Sequence, residues 1–232
     1  MDAITGWSRA YRFGDVDVTA GLVAGRDGVL AVDPGPTPAD GRRLAELAEA
    51  EFGLPVRWAV LTHAHWDHVY GAAGLPPDAV LLGRLGIGAE LERRRADDLA
   101  DAIRHGLPEE VARDAANRLR RPDREVGDTP ESLQLDLGGR WVELVHPGPA
   151  HTAHDLAVVV HGTPRVVFCG DLVEESGPPQ AGEDADPAAW PAALDVLLAA
   201  GGPDARYVPG HGAPVDAAFV RHQRAQLAEQ RP

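Results

Sequence analysis

The sequence predicts an α/β fold: two mixed β-sheets packed face to face, with helices on the outside. Three observations carry this. Short apolar runs of strand length, many of them valine-rich, recur along the 232-residue chain. Helical segments with apolar residues three and four apart lie between them. The order of strands followed by helix occurs twice, so each half supplies a sheet and its cover.

The elements follow in order. Val16–Val23 and Gly28–Val32 read as strands joined by the turn Gly25-Arg26-Asp27-Gly28. Asp33-Pro34-Gly35-Pro36 ends the second strand. A helix from Pro38 to Phe52 places Leu44, Leu47 and Ala48 on one face and stops at Gly53-Leu54-Pro55. Val56–Leu61 is an apolar strand, and Ala79–Leu82 is another. From Arg84 to Arg121 the composition shifts to Arg, Ala, Asp, Glu and Leu, fitting helices at Ala89–His105 and Pro108–Arg120. This insert (84–121) reads first as solvated surface helices; its position after the histidine-rich loop makes a lid the sharper alternative. Further strands are expected at Ser132–Leu137, Trp141–Val145, Leu156–His161, Arg165–Cys169 and Ala205–Val208. Helices are expected at Ala188–Ala199 and Val215–Gln230. No linker or low-complexity stretch divides the chain, so residues 1–232 are expected to form one domain.

Composition removes whole classes of function. All 22 basic residues are arginine, so Schiff-base chemistry on a lysine is excluded. The formal charge of −14 disfavours nucleic acid and anionic membranes as partners; a small anionic substrate stays open, because bound metal would offset charge locally. One cysteine, Cys169, rules out an internal disulfide and a cysteine-rich zinc module. Its place on an apolar strand reads as a buried structural thiol. No apolar run approaches membrane-spanning length and the amino terminus carries no signal-like pattern. A cytoplasmic protein with a small-molecule substrate is the expectation, and a homodimer is compatible with it.

The chemistry starts in Thr62-His63-Ala64-His65-Trp66-Asp67-His68, directly after the strand ending at Leu61. Three imidazoles and a carboxylate at this density match the ligand preferences of zinc. An affinity tag would be terminal and homopolymeric. Further candidates follow later strands: His151 after Trp141–Val145, Asp171 after Arg165–Cys169, and His211 within Val208-Pro209-Gly210-His211-Gly212. Glycine or proline stands close to each.

These residues resemble the metallo-β-lactamase fold superfamily, whose H-x-H-x-D-H motif is followed by a His, an Asp and a His on later loops. The match runs in order from Asp33 to His211. The resemblance implies a four-layer αββα sandwich with a two-metal site at one edge. His63, His65 and His151 would bind the first ion; Asp67, His68 and His211 the second; Asp171 would bridge both. Two divalent cations, zinc first and iron or manganese as alternatives, would share a hydroxide that attacks an ester, thioester, lactone or amide. Asp67 would orient that hydroxide and accept its proton as the catalytic residue. Asp33 and Asp155 would support the ligands from behind. Trp66, Tyr70 and His154 are candidates for the substrate pocket; each can equally be read as packing or surface.

Within that superfamily, several branches fit poorly. Glu174 stands where cysteine-ligand β-lactamases carry a lysine for the drug's carboxylate. Tyr70 replaces the first glycine of the motif in glyoxalase II-like members, and only a short segment follows His211. Neither a nuclease arm nor a flavodoxin domain is visible. The economical expectation is a compact di-metal hydrolase. A mononuclear iron oxygenase of the persulfide dioxygenase type is the enzymatic alternative, and a metal-binding protein without catalysis is a third class.

Overall fold

Alternation along the strands decides the layering. The computed structural model describes residues 2–14, 16–127 and 134–229. Its first half holds β1 (Asp2–Thr5), β2 (Ser8–Phe13), β3 (Val18–Ala24), β4 (Val29–Val32), β5 (Val56–Val60), β6 (Val80–Arg84) and β7 (Arg124–Val126). Helices α1 (Pro38–Phe52), α2 (Trp66–Val69), α3 (Ile87–Arg104) and α4 (Glu109–Asn117) are interspersed, with a 3-10 turn at Tyr70–Gly74. The second half holds β8 (Gln134–Asp136), β9 (Trp141–Val145), β10 (Ala157–Val160), β11 (Val166–Glu174), α5 (Trp190–Gly201), β12 (Arg206–His211) and α6 (Ala217–Glu229).

Side chains on successive strand residues point to opposite faces, and the buried residues divide accordingly. On β4, Val29 and Ala31 join a core shared with Leu44 and Ala48 of α1 and Leu91 of α3, whereas Leu30 and Val32 face the other way. On β11, Val166 and Phe168 meet Leu30 and Val32 in that central core. Val167 and Cys169 turn outward to Trp190 and Leu194 of α5. Three apolar layers thus lie between four layers of secondary structure, α/β/β/α. Strands buried on both faces read as continuous apolar runs rather than alternating ones, as in Ala157-Val158-Val159-Val160.

The two expected sheets are joined. Neighbouring strands run β7-β6-β5-β4-β3-β12-β11-β10-β9-β8, with β2 on the other edge of β3 and β1 beyond it. Only one residue pair, His211 with Val18, links β12 to β3. The sheet curls there, and its two halves stack. Within each half the parallel neighbours β4–β5–β6–β7 and β11–β12 bring their carboxyl ends to the same edge.

Helix α1 begins and ends as its sequence requires. Thr37 caps it by accepting from the Asp40 amide at 3.1 Å, and Pro38 occupies the first turn. Gly53 closes it at φ 67°, donating its N–H to the Glu49 carbonyl. Strands β1, β2 and β7 were not expected: β2 is interrupted by Arg9 and Arg12, and β7 offers only Val126 to a core. The expected strand at Ser132–Leu137 is realised as β8; Ser132 lies outside the described residues, as does Gln230 at the end of the last helix. β11 and β12 run on through Asp171 and His211 instead of stopping before them. Their register shifts around Gly170, so pairing persists while the segment carrying Asp171 is irregular. No described helix is long and apolar enough to cross a membrane.

Candidate metal centre

Four strand ends, with His151 from the loop between β9 and β10, deliver the site. Asp33 leaves β4 with φ 50°, a left-handed conformation that aspartate tolerates better than most residues. Its amide donates to the Val60 carbonyl at 3.0 Å, locking the β4 end to the β5 end. His63 follows β5, and α2 then raises Asp67 and His68 on a single turn. Asp171 lies on the irregular part of β11 and His211 ends β12. Gly210 is required here: a Cβ at this position would lie 1.8 Å from Asp171 Oδ1.

Each of the five clustered histidines has one ring nitrogen held by an acceptor, which fixes its tautomer. The Thr62 hydroxyl donates to Asp33 Oδ2 at 2.7 Å, so at 2.9 Å it accepts from His63 Nδ1. His68 Nδ1 donates to Asp33 Oδ2 at 3.0 Å. His65 Nε2 donates to Asp184 Oδ2 at 3.1 Å. His151 Nδ1 donates to the Gln180 carbonyl at 3.1 Å, and His211 Nδ1 to that of Val16 at 2.8 Å. The remaining nitrogens, Nε2 of His63, His68, His151 and His211 and Nδ1 of His65, turn lone pairs inward. His65 Nδ1 stands 3.0 Å from His151 Nε2, and His68 Nε2 stands 3.4 Å from His211 Nε2.

Such convergence is unfavourable without a cation between the groups. His63 Nε2 and Asp171 Oδ1 are buried with no hydrogen-bond partner. Ligand atoms of His63, His65, His151 and Asp171 lie within 4.8 Å of one another, and so do those of Asp67, His68 and His211. Asp171 reaches both sets: its Oδ2 is 3.5 Å from His151 Nε2 and its Oδ1 is 3.1 Å from His68 Nε2. The donor set therefore fits two adjacent cations with Asp171 between them. Three or four nitrogen and oxygen donors per ion suit zinc-like coordination.

The charge balance of the site fits the same use. Burial holds His63 well below its ordinary pKa and pushes His151 down to about 4, leaving neutral imidazoles. For His68 and His211 burial acts in the same direction, but the carboxylates of Asp171 and Asp67 outweigh it and raise both. Asp171 is itself opposed by burial yet held well below the carboxyl range by His68 and His211. These are the signs of negative charge awaiting positive charge.

The site opens into a cleft of about 1040 Å³, walled by α3 through Arg93, Arg94 and Asp101 and by the loop containing Gln180 and Asp184. Trp66 lines it, with its indole N–H donating to Asp101 at 3.0 Å. Tyr70 does not line the cleft; only 1% exposed, it packs in the outer core beside α1. His154 also lies off the cleft, its ring against Gly86 at the start of α3. Asp155 supports the His151 loop indirectly: its carboxylate accepts from the Thr152 amide at 2.9 Å and hydroxyl at 2.7 Å. Asp33, by contrast, touches His68 directly.

Sequence reasoning missed Asp184, which holds His65. It sits in a polar loop with acidic neighbours, and nothing in the spacing singles it out. Arg94 donates to the same oxygen, Asp184 Oδ2, at 2.8 Å and also binds Asp98 at 3.0 Å. The helical insert is thereby wired to one of the clustered histidines.

Comparison with known proteins agrees with this geometry. Residues 13–211 match the family model described as the metallo-beta-lactamase superfamily. The chain is 25% identical over 215 residues to the type 2 metallo-beta-lactamase of Bacillus cereus, covering 91% of this chain and 74% of that one. It is 28% identical over 152 residues to the alpha subunit of a Nocardioides 2,4-dinitroanisole O-demethylase, covering 65% of this chain and 40% of that subunit. Among solved structures, a metallo-beta-lactamase from Pontibacter korlensis superposes with a TM-score of 0.72 at 21% identity, over 99% of this chain and 98% of that one. The Pseudomonas aeruginosa metallo-beta-lactamase FIM-1, in its mono-zinc form, gives 0.72 at 24% identity over 98% and 93%. With its layered fold, its clustered donors and a family match over most of its length, the chain belongs to the metallo-beta-lactamase superfamily.

Proposed function

We propose that this protein is a di-metal hydrolase, with zinc as the resident cation, acting on a small ester, thioester, lactone or amide. The observation that carries the reading is the inward convergence of five imidazole lone pairs and the carboxylates of Asp67 and Asp171. His63, His65 and His151 would hold one cation, Asp67, His68 and His211 the other, with Asp171 shared. Bound there, the cations would supply Lewis acidity and lower the pKa of water towards neutrality.

The remaining work falls to the chain's own residues. Asp67 sits on the first turn of α2 at the cleft floor, with Oδ2 3.2 Å from His211 Nε2. From there it would orient the attacking water and accept its proton at a carboxylate oxygen. Asp33 and Asp184 keep His68 and His65 in the tautomers that binding needs. The insert would serve as a cover, since α3 forms one wall of the cleft and Trp66 is pinned to it through Asp101. The charge of −14 favours a small molecule over nucleic acid.

β-Lactams are not the favoured substrate. Glu174 is 6% exposed and accepts from the Ser176 hydroxyl at 2.6 Å, so this position offers no cation to a drug's carboxylate. The test is metal analysis of freshly purified protein together with turnover on an ester, thioester, lactone and β-lactam panel. We expect two zinc ions per chain and hydrolysis of at least one acyl class, lost in Asp67→Ala. One iron per chain, with oxygen consumption on a persulfide and no hydrolysis, would sink the reading.

A further inference from the structure

Away from the metal centre, at the opposite end of β3 and β4, the surface holds a second concavity of about 570 Å³. The His63–His68 loop follows the last residue of β5, and Asp33, which holds His68, follows β4. This concavity instead surrounds the turn that opens β4, beside Trp7, the end of α1 at Phe52, and the Gly138-Gly139-Arg140 turn between β8 and β9.

Two guanidinium groups border it. Arg140 is half-buried; its Cζ lies 4.0 Å from the centroid of the Trp7 ring, and its Nε donates to the Ala24 carbonyl at 2.8 Å. Arg26 donates its Nε to the Gly138 carbonyl at 2.8 Å. Each Nε is thus committed to backbone, and each group is held in place. Yet among the described residues neither arginine forms an ion pair with a carboxylate, although the chain carries 36 acidic residues against 22 basic ones. Burial lowers the Arg140 pKa, with no carboxylate raising it. A partly desolvated cation without a counter-charge is a costly arrangement. Cation–π stacking offsets part of that cost and leaves the terminal nitrogens of both groups without a hydrogen-bond partner among the described residues.

The walls complete the chemistry. Phe52 and Leu54 add apolar surface beside the Trp7 ring, and the volume suits a small organic molecule. A guanidinium presents a planar fork matched to a carboxylate. We propose that Arg26, Arg140 and Trp7 form a second binding site, for a small organic carboxylate whose planar apolar body lies against Phe52 and Leu54.

The test uses the full zinc-loaded chain, titrated with sodium benzoate at constant ionic strength and followed by 15N–1H NMR. Benzamide and inorganic phosphate are the controls for charge and for the apolar body. We expect saturable shifts with a millimolar Kd at the Trp7 indole and the amides of Gly25, Gly138, Gly139 and Arg140. Arg26→Gln, a change at an exposed side chain, should weaken binding at least fivefold. Arg140→Gln should abolish it; a Trp7→Phe variant, which keeps an aromatic wall, serves if Arg140→Gln does not fold, and should weaken binding threefold or more. Benzamide or phosphate binding as tightly as benzoate would overturn the proposal. So would unchanged affinity in Arg26→Gln, or benzoate shifts confined to the metal centre.

Discussion

At the scale of single residues, the site is a problem in proton placement. Five imidazoles can aim lone pairs at one volume only if five acceptors hold the opposite nitrogens, and the fold supplies Thr62, Asp33, Asp184 and the carbonyls of Gln180 and Val16. Removing one acceptor frees the ring to rotate or change tautomer. Asp184→Ala should therefore lower metal affinity or kcat/KM by about 10–100-fold while the circular dichroism spectrum stays unchanged. Chelator competition measures the first quantity and steady-state kinetics the second. Gly210→Ala acts from the other side, since its methyl would occupy the place of Asp171 Oδ1. Loss of about one bound ion per chain is expected by metal analysis, with folding retained. The clustered His and Asp donors were legible in sequence because their spacing is local or marked by glycine. Of their acceptors only Asp33 was, through the family resemblance. Asp184 meets His65 across more than a hundred residues, and a backbone carbonyl such as that of Gln180 carries no sequence signature at all.

At the scale of elements, the strand alternation and the capped helix α1 were readable because each element states its own period and stop signals. β2 and β7 were hidden by arginines and by shortness, and their existence depends on neighbours rather than on their own apolar content. The role of α3 was also unreadable, since Arg94 and Asp98 look like ordinary helix-surface charges until the Asp184 loop folds against them. Asp98 is 3% exposed, and burial, only partly offset by Arg94, raises its carboxyl to about 6. Between the ordinary carboxyl value and about pH 6 the folded chain holds a proton that the unfolded chain has released. This group thus contributes stability that is fully present below about pH 4 and lost as pH rises through 6, an effect of roughly 2–3 kcal/mol. Asp98→Asn should flatten that part of the curve. Urea unfolding of the metal-free protein at pH 4.5 and pH 7.5 provides the comparison; an equally steep loss in the variant would assign the slope to other groups.

At the scale of the whole molecule, the layers place every clustered donor at one edge while drawing them from both halves of the chain. Metal binding to the folded state alone stabilises it by about 4 kcal/mol when free metal exceeds Kd a thousandfold. For a chain of this size that corresponds to roughly 8–16 °C in Tm. Chelation should lower the calorimetric midpoint by this amount, and readdition of zinc should restore it. A shift below about 2 °C would mean that the donors do not hold a tightly bound ion.

The single pairing of His211 with Val18, together with the Val16 carbonyl under the His211 ring, bears on synthesis at the ribosome. His211 is synthesised after every other clustered donor and docks against a strand, β3, that is made before all of them. A nascent chain ending before residue 211 has the H-x-H-x-D-H loop, His151 and Asp171, but not the residue that closes the curl. Tight metal capture and closure of the sheet should therefore be one late event, after the rest of the sandwich has had time to pack.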